Sequence, residues 1–164
     1  MRVRDIGLWV ILVAATGQAS AGGEPEAIGK EIECLALNIY HEARNEPESG
    51  KYAVGIVTMN RVRDRAYPET ACGVVWEKRW SSRVTRYVPQ FSWTLDGKSD
   101  KPYERDAWED ALRIARQVYS ASPKNLDTLS PVGDAKYYHA SYVNPNWAQR
   151  LTLVVKIGQH IFYQ

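Results

Sequence analysis

The sequence predicts an α+β domain, mainly helical, with a small antiparallel sheet near its C-terminus. Three observations carry this reading. Three stretches, "ECLALNIYHEAR", "ESGKYAVGIVTMNRVRD" and "RDAWEDALRIARQVYS", repeat apolar residues at helical spacing. The C-terminal third holds short runs rich in strand formers, "AKYYHASYV", "TLVVKI" and "QHIFY". A length of 164 residues without internal repeats suggests one domain.

The elements follow in chain order. Arg2 and Arg4 form a basic start, and an apolar run from Ile6 to Ala15 leads to the small residues Ala19-Ser20-Ala21. That pattern reads as a signal peptide over residues 1–21, with an uncleaved anchor as the alternative, and leaves 22–164 as the folded domain. Removing it takes away two arginines and one aspartate, so the net charge falls from +2 to +1. A near-neutral domain gives no case for nucleic acid. A polar, Gly-rich segment, Gly22 to Lys30, precedes a helix expected over Glu31 to Arg44. Ile32, Leu35, Ile39 and Glu42 share one stripe of that helix, apolar until its last member. Asn45 is placed to cap the second helix, with Glu48 at capping-box spacing and Glu46 in the opening turn. Arg61, Arg63 and Arg65 suit the dipole at its C-terminal end.

The stretch from Val74 to Glu104 shows no sustained helical period. It interleaves Trp76, Trp80, Tyr87, Phe91, Trp93 and Tyr103 with charges and turn residues, a composition that points to a functional connection. The third helix, from Arg105, packs a stripe including Trp108, Leu112 and Val118. Pro123 to Asp134 reads as loop. "TLVVKI" and "QHIFY" flank Gly158 and, with "AKYYHASYV", are expected to pair as a small antiparallel hairpin or sheet.

The chemistry centres on "YHEARNE". A glutamate on a buried stripe has its ionised form disfavoured, which raises its pKa toward that of a general acid. The alternative is a helix-end glutamate paired with Arg44 or Lys51, or merely solvated. His41-Glu42 does not extend to H-E-x-x-H, because Asn45 stands in the fifth position. A scattered metal site from His41, His139 and His160 is the remaining metal alternative. No G-x-S-x-G elbow and no Gly-rich phosphate loop is present. Cys34 and Cys72 leave two readings open, a disulfide in an oxidising compartment or buried free thiols. "PQFSWTLDG" and "YYHASYVNPNW" mix aromatics with hydrogen-bonding side chains, as saccharide sites do. They put forward Gln90, Ser92, Trp93, Tyr138, His139 and Trp147 as substrate-binding residues, with core packing as the competing role of each aromatic.

The blocks "CLALNIYHEARNEPESGKYAVGIVTMNRV", "YPETACGVVWE", "QFSWTLDG", "YYHASYVNPNW" and "IGQHIFY" together resemble the SleB-like cell-wall hydrolases. The first block is the most specific, and the set spans nearly all of the chain beyond the leader. The resemblance implies a compact lysozyme-like fold, related to goose-type lysozyme and the resuscitation-promoting factors. It implies peptidoglycan glycan strands as substrate, cleavage between N-acetylmuramic acid and N-acetylglucosamine, and lytic transglycosylase chemistry. The family's catalytic glutamate, in its EAR-x-E-P motif, corresponds to Glu42. No cofactor, no metal and no stable protein partner is implied; a monomer, exported to the periplasm or beyond, is expected. The chain departs from the family at Asn45, where Gly is common. It departs again at Pro89, where Gram-negative relatives often carry a cysteine, so Cys72 lacks that family-style partner. Hydrolysis with Asp96 as second carboxylate, or a metal-dependent amidase using the three histidines, are the alternatives.

Overall fold

The computed structural model describes residues 23–164; the expected leader, residues 1–21, lies outside the described residues. The order of elements is α1 (Gly23–Ala43), α2 (Glu48–Val62), α3 (Ala71–Val75), β1 (Lys78–Ser81), β2 (Arg86–Pro89), α4 (Arg105–Ser120), α5 (Pro123–Leu129), β3 (Tyr137–Ala140), β4 (Leu153–Ile157) and β5 (His160–Tyr163). Short 3₁₀ turns occupy Ser92–Leu95 and Ala148–Arg150. The class is α+β and mainly helical, as the periodicity predicts.

Helices α1, α2 and α4 pack against one another around the core. Leu35, Ile39 and Tyr40 of α1, Ile56 and Val57 of α2, and Ile114 and Val118 of α4 are fully buried there. Helix α2 is buried on all sides from Tyr52 to Met59, as expected of a central helix whose middle is nearly all apolar. Gly55 makes the close approach possible: a Cβ there would stand 3.1 Å from Ile39 Cδ1 and 3.4 Å from Val118 Cγ2. A three-stranded antiparallel sheet, ordered β3-β5-β4, closes the core through Phe162. The turn between β4 and β5 requires Gly158, at φ 54°, where any side chain would also land on the Glu46 carboxylate.

Four features differ from the sequence expectations. Helix α1 starts eight residues earlier, at Gly23, because residues 25–30 are solvent-exposed and carry no apolar stripe to announce a helix. The expected capping box does not form. Pro47 takes the N-cap position with no side-chain cap, Asn45 is exposed, and Glu48 instead pairs with Arg113 at 2.6 Å. Within Pro123 to Asp134 the first residues form α5, opened by proline in its first turn, where the missing N–H costs nothing. The aromatic connection begins in the last residues of α3 and holds a second hairpin, β1–β2, whose strands alternate no apolar face and so leave no period to read. Cys34 and Cys72 form a disulfide that ties α1 to α3.

Candidate active site

Glu42 is the next-to-last residue of α1, on the same stripe as Leu35 and Ile39, half-buried in a cleft of about 990 Å³. The helix carries it inward because burying the apolar stripe leaves the next position on that face pointing the same way. Tyr138, from β3, donates its hydroxyl hydrogen to Glu42 Oε2 at 3.1 Å. Desolvation raises the Glu42 pKa above its ordinary value, while the Tyr138 hydrogen bond and the nearby Arg61 charge pull it partly back. The same burial, with the Glu42 charge adding to it, raises the Tyr138 hydroxyl well above its usual range.

The cleft wall is built on a buried polar relay. Trp93 Nε1–H donates to Asn38 Oδ1 at 3.1 Å, and Asn38 donates to Thr58 Oγ1 at 3.0 Å. Thr58 in turn donates to the Val54 carbonyl. The chain fixes the indole of Trp93 against α1 and α2, and the His41 ring stacks on it with centroids 4.3 Å apart. His41 also bonds the Asp100 carbonyl at 3.0 Å, which ties the loop after the 3₁₀ turn to the cleft. Tyr40 organises the same loop from below, accepting from the backbone N–H groups of Tyr103 and Glu104 at the start of α4.

Arg61 also lines the cleft, buried against the Phe91 and Tyr67 rings. Its Nε–H donates to the Lys136 carbonyl, while Nη1 has no partner among the described residues. His160 is buried edge-on to Tyr138, with Nδ1 3.9 Å from Glu46 Oε1. Burial pushes its imidazole below the ordinary value, and the Glu46 carboxylate opposes that. Glu46 accepts from the Gln159 N–H at 2.8 Å, so it braces the β4–β5 turn rather than opening α2.

Of the residues the sequence puts forward, Glu42, Gln90, Ser92, Trp93, Tyr138 and His139 all line this one cleft. Gln90 is held by Glu77 at 2.9 Å. His139 has both ring nitrogens engaged, by Tyr163 and the Ala140 carbonyl. Trp147 does not line it. Its ring packs among Tyr137, His139 and Tyr163, behind the sheet end of the site. Sequence reasoning missed Asn38, read only as part of an apolar helix, and Arg61, read as a dipole partner. One polar residue inside "ECLALNI" was the available signal for the first; nothing in spacing marks the second. His41, His139 and His160 all face the cleft, yet no three His, Cys, Asp or Glu side chains converge into a metal-ligand group among the described residues.

A family model described as Cell Wall Hydrolase matches residues 45–163. The chain belongs to the cell wall hydrolase family. The matched span covers Trp93, Tyr138 and the sheet, and begins just after Glu42. Glu42 is therefore singled out by its geometry in the cleft and not by the family match. Spore cortex-lytic enzymes of Oceanobacillus iheyensis and Bacillus subtilis are 28% identical over 149 residues and 38% identical over 133 residues. These alignments cover 90% and 80% of this chain, but only 46% and 37% of those proteins. The chain thus spans less than half the length of the curated relatives it matches. Among solved structures it is similar to the catalytic domain of the germination-specific lytic transglycosylase SleB from Bacillus anthracis. That match has 27% identity and a TM-score of 0.57, covering 82% of this chain and 93% of that one. The catalytic domain of the Bacillus cereus SleB protein matches at 25% identity and a TM-score of 0.56, covering 83% and 91%.

Proposed function

We propose that this cell wall hydrolase cleaves the glycan of peptidoglycan between N-acetylmuramic acid and N-acetylglucosamine as a lytic transglycosylase. The observation that carries the reading is the Glu42 carboxyl. It is desolvated, raised in pKa and held by Tyr138 in an open, aromatic-walled cleft. Protonated Glu42 donates to the glycosidic oxygen as the bond to C1 breaks. The carboxylate left behind takes the proton from the muramyl C6 hydroxyl, which attacks C1 and closes a 1,6-anhydro ring. One carboxyl serves both steps, and the nearby Arg61 charge favours the carboxylate between them. Gln90, Ser92, Trp93, Tyr138 and His139 are the proposed saccharide contacts. The Cys34–Cys72 disulfide fits work in an oxidising compartment, the periplasm or the exterior.

A hydrolytic muramidase is the second reading, because Asp96 lines the same cleft. Its Oδ1 accepts from the Lys98 N–H, the bond of a turn residue, which weighs toward the transglycosylase. Mass spectrometry of peptidoglycan digested by the wild type and Glu42→Gln separates the two. We expect 1,6-anhydro ends from the wild type and none from the variant. Products that have gained water would replace the transglycosylase with the muramidase. Full activity in Glu42→Gln would overturn both.

A further inference from the structure

The β1–β2 hairpin is unused by the chemistry above. Both of its strands are exposed on both faces, unlike the sheet that closes the core. Trp80 and Tyr87 are directly opposed across the ladder, with ring centroids 5.4 Å apart, and remain 60% and 61% exposed. Leaving two large aromatics in water costs free energy that burial elsewhere would recover. From Lys78 to Pro89 the hairpin carries Lys78, Arg79, Arg83 and Arg86 and no acidic residue. Of these cations, Arg79 alone is in an ion pair among the described residues, with Glu77. At its base β2 runs directly into Gln90 of the cleft, and Trp76 meets Trp93 edge-on at 5.2 Å. Four-residue strands carry the tip on the order of 13 Å from that base.

We propose that this hairpin is a second glycan-binding surface, which holds peptidoglycan beyond the cleft. Trp80 and Tyr87 form a platform for the apolar faces of sugar rings, and Arg83 and Arg86 meet the free carboxylates of the peptide stems. Charge complementarity decides the occupant: peptidoglycan presents flat sugars and carboxylates on one polymer, and the hairpin presents aromatics and unpaired cations on one element. An anionic bilayer fits less well, because the turn Ser82-Arg83-Val84-Thr85 offers it one apolar residue, Val84, and the aromatic pair stands one ladder step behind that turn. The inference rests on the wall-glycan reading and adds a site to it.

The test is co-sedimentation of the full chain with purified sacculi, in a Glu42→Gln background that prevents digestion. Trp80→Ala/Tyr87→Ala should weaken binding about tenfold or more. Arg83→Glu/Arg86→Glu should weaken it and flatten its dependence on salt. The same hairpin substitutions with Glu42 intact should leave turnover of solubilised glycan fragments unchanged, and far-UV circular dichroism should show the fold retained. Undiminished sacculus binding would overturn the proposal. So would an equal loss on soluble fragments, or a loss confined to phosphatidylglycerol vesicles. Wild-type protein that releases nothing from sacculi would instead sink the wall-glycan reading itself.

Discussion

The Glu42 carboxyl sits where ionisation is costly, and two consequences can be measured. Its pKa is raised by desolvation, so the protonated acid persists to higher pH than an ordinary glutamate near 4.5. Activity should fall as pH rises through that raised value, and Glu42→Gln should lower the rate about 10²–10⁴-fold. Stability follows the same sign. A raised folded pKa means the unfolded chain ionises first, so the contribution of Glu42 is whole below about 4.5 and is lost as pH rises through the folded value. Glu42→Gln removes that cost, so its melting temperature should exceed the wild type at pH 8 and match it at pH 4. Tyr138→Phe deletes the hydrogen bond that favours the carboxylate. The falling limb of the pH–rate profile should then move to higher pH, which a profile of initial rates would show. A limb that stays put would remove Tyr138 from the tuning of Glu42.

Among the elements, α1 does the most for the site, because it supplies both the acid and the anchor of the Trp93 wall. Asn38 lies one turn before Glu42 and is fully buried, bonded to Trp93 on one side and Thr58 on the other. Asn38→Ala would leave the indole N–H and the threonine hydroxyl short of a partner in a dry interior. The expected cost is about 1–3 kcal/mol, read from urea unfolding. The same change should raise KM more than it lowers kcat, because it loosens the Trp93 and His41 wall and leaves Glu42 in place. The third sheet element, β3, brings Tyr138 to Glu42 from 96 residues away, and β5 holds β3 through the Tyr138–Phe162 register.

Across the whole molecule, the Cys34–Cys72 bond closes a loop of 38 residues that contains α2 and its buried core. Restricting that loop in the unfolded chain stabilises the fold by about 2–4 kcal/mol. Cys34→Ala/Cys72→Ala should therefore lower the unfolding free energy by that amount, seen as a lower denaturation midpoint in an equilibrium unfolding curve, while keeping activity at 25 °C. A midpoint unchanged by the double substitution would mean that the core alone sets stability.

What was legible in the sequence was local. Helical spacing set Leu35, Ile39 and Glu42 on one stripe, and runs of strand formers around Gly158 announced β4 and β5. Periodicity carries such information because it reports which face of one element meets the core. The resemblance pointed to Glu42, and the aromatic and polar mix in "QFSW" and "YYHA" pointed to Gln90, Ser92, Trp93, Tyr138 and His139, which line the same cleft. It could not say that Trp147 packs behind the sheet, that Glu46 braces a turn, or that Cys34 meets Cys72. Those outcomes depend on which distant segments share a space, and no spacing in one segment encodes its remote neighbour. The raised pKa of Glu42 belongs to the same class. The sequence alone determined that a glutamate ends an apolar stripe. Only the tertiary structure decided that Tyr138, Trp93 and Arg61 enclose it, and with them how far water is kept from its charge.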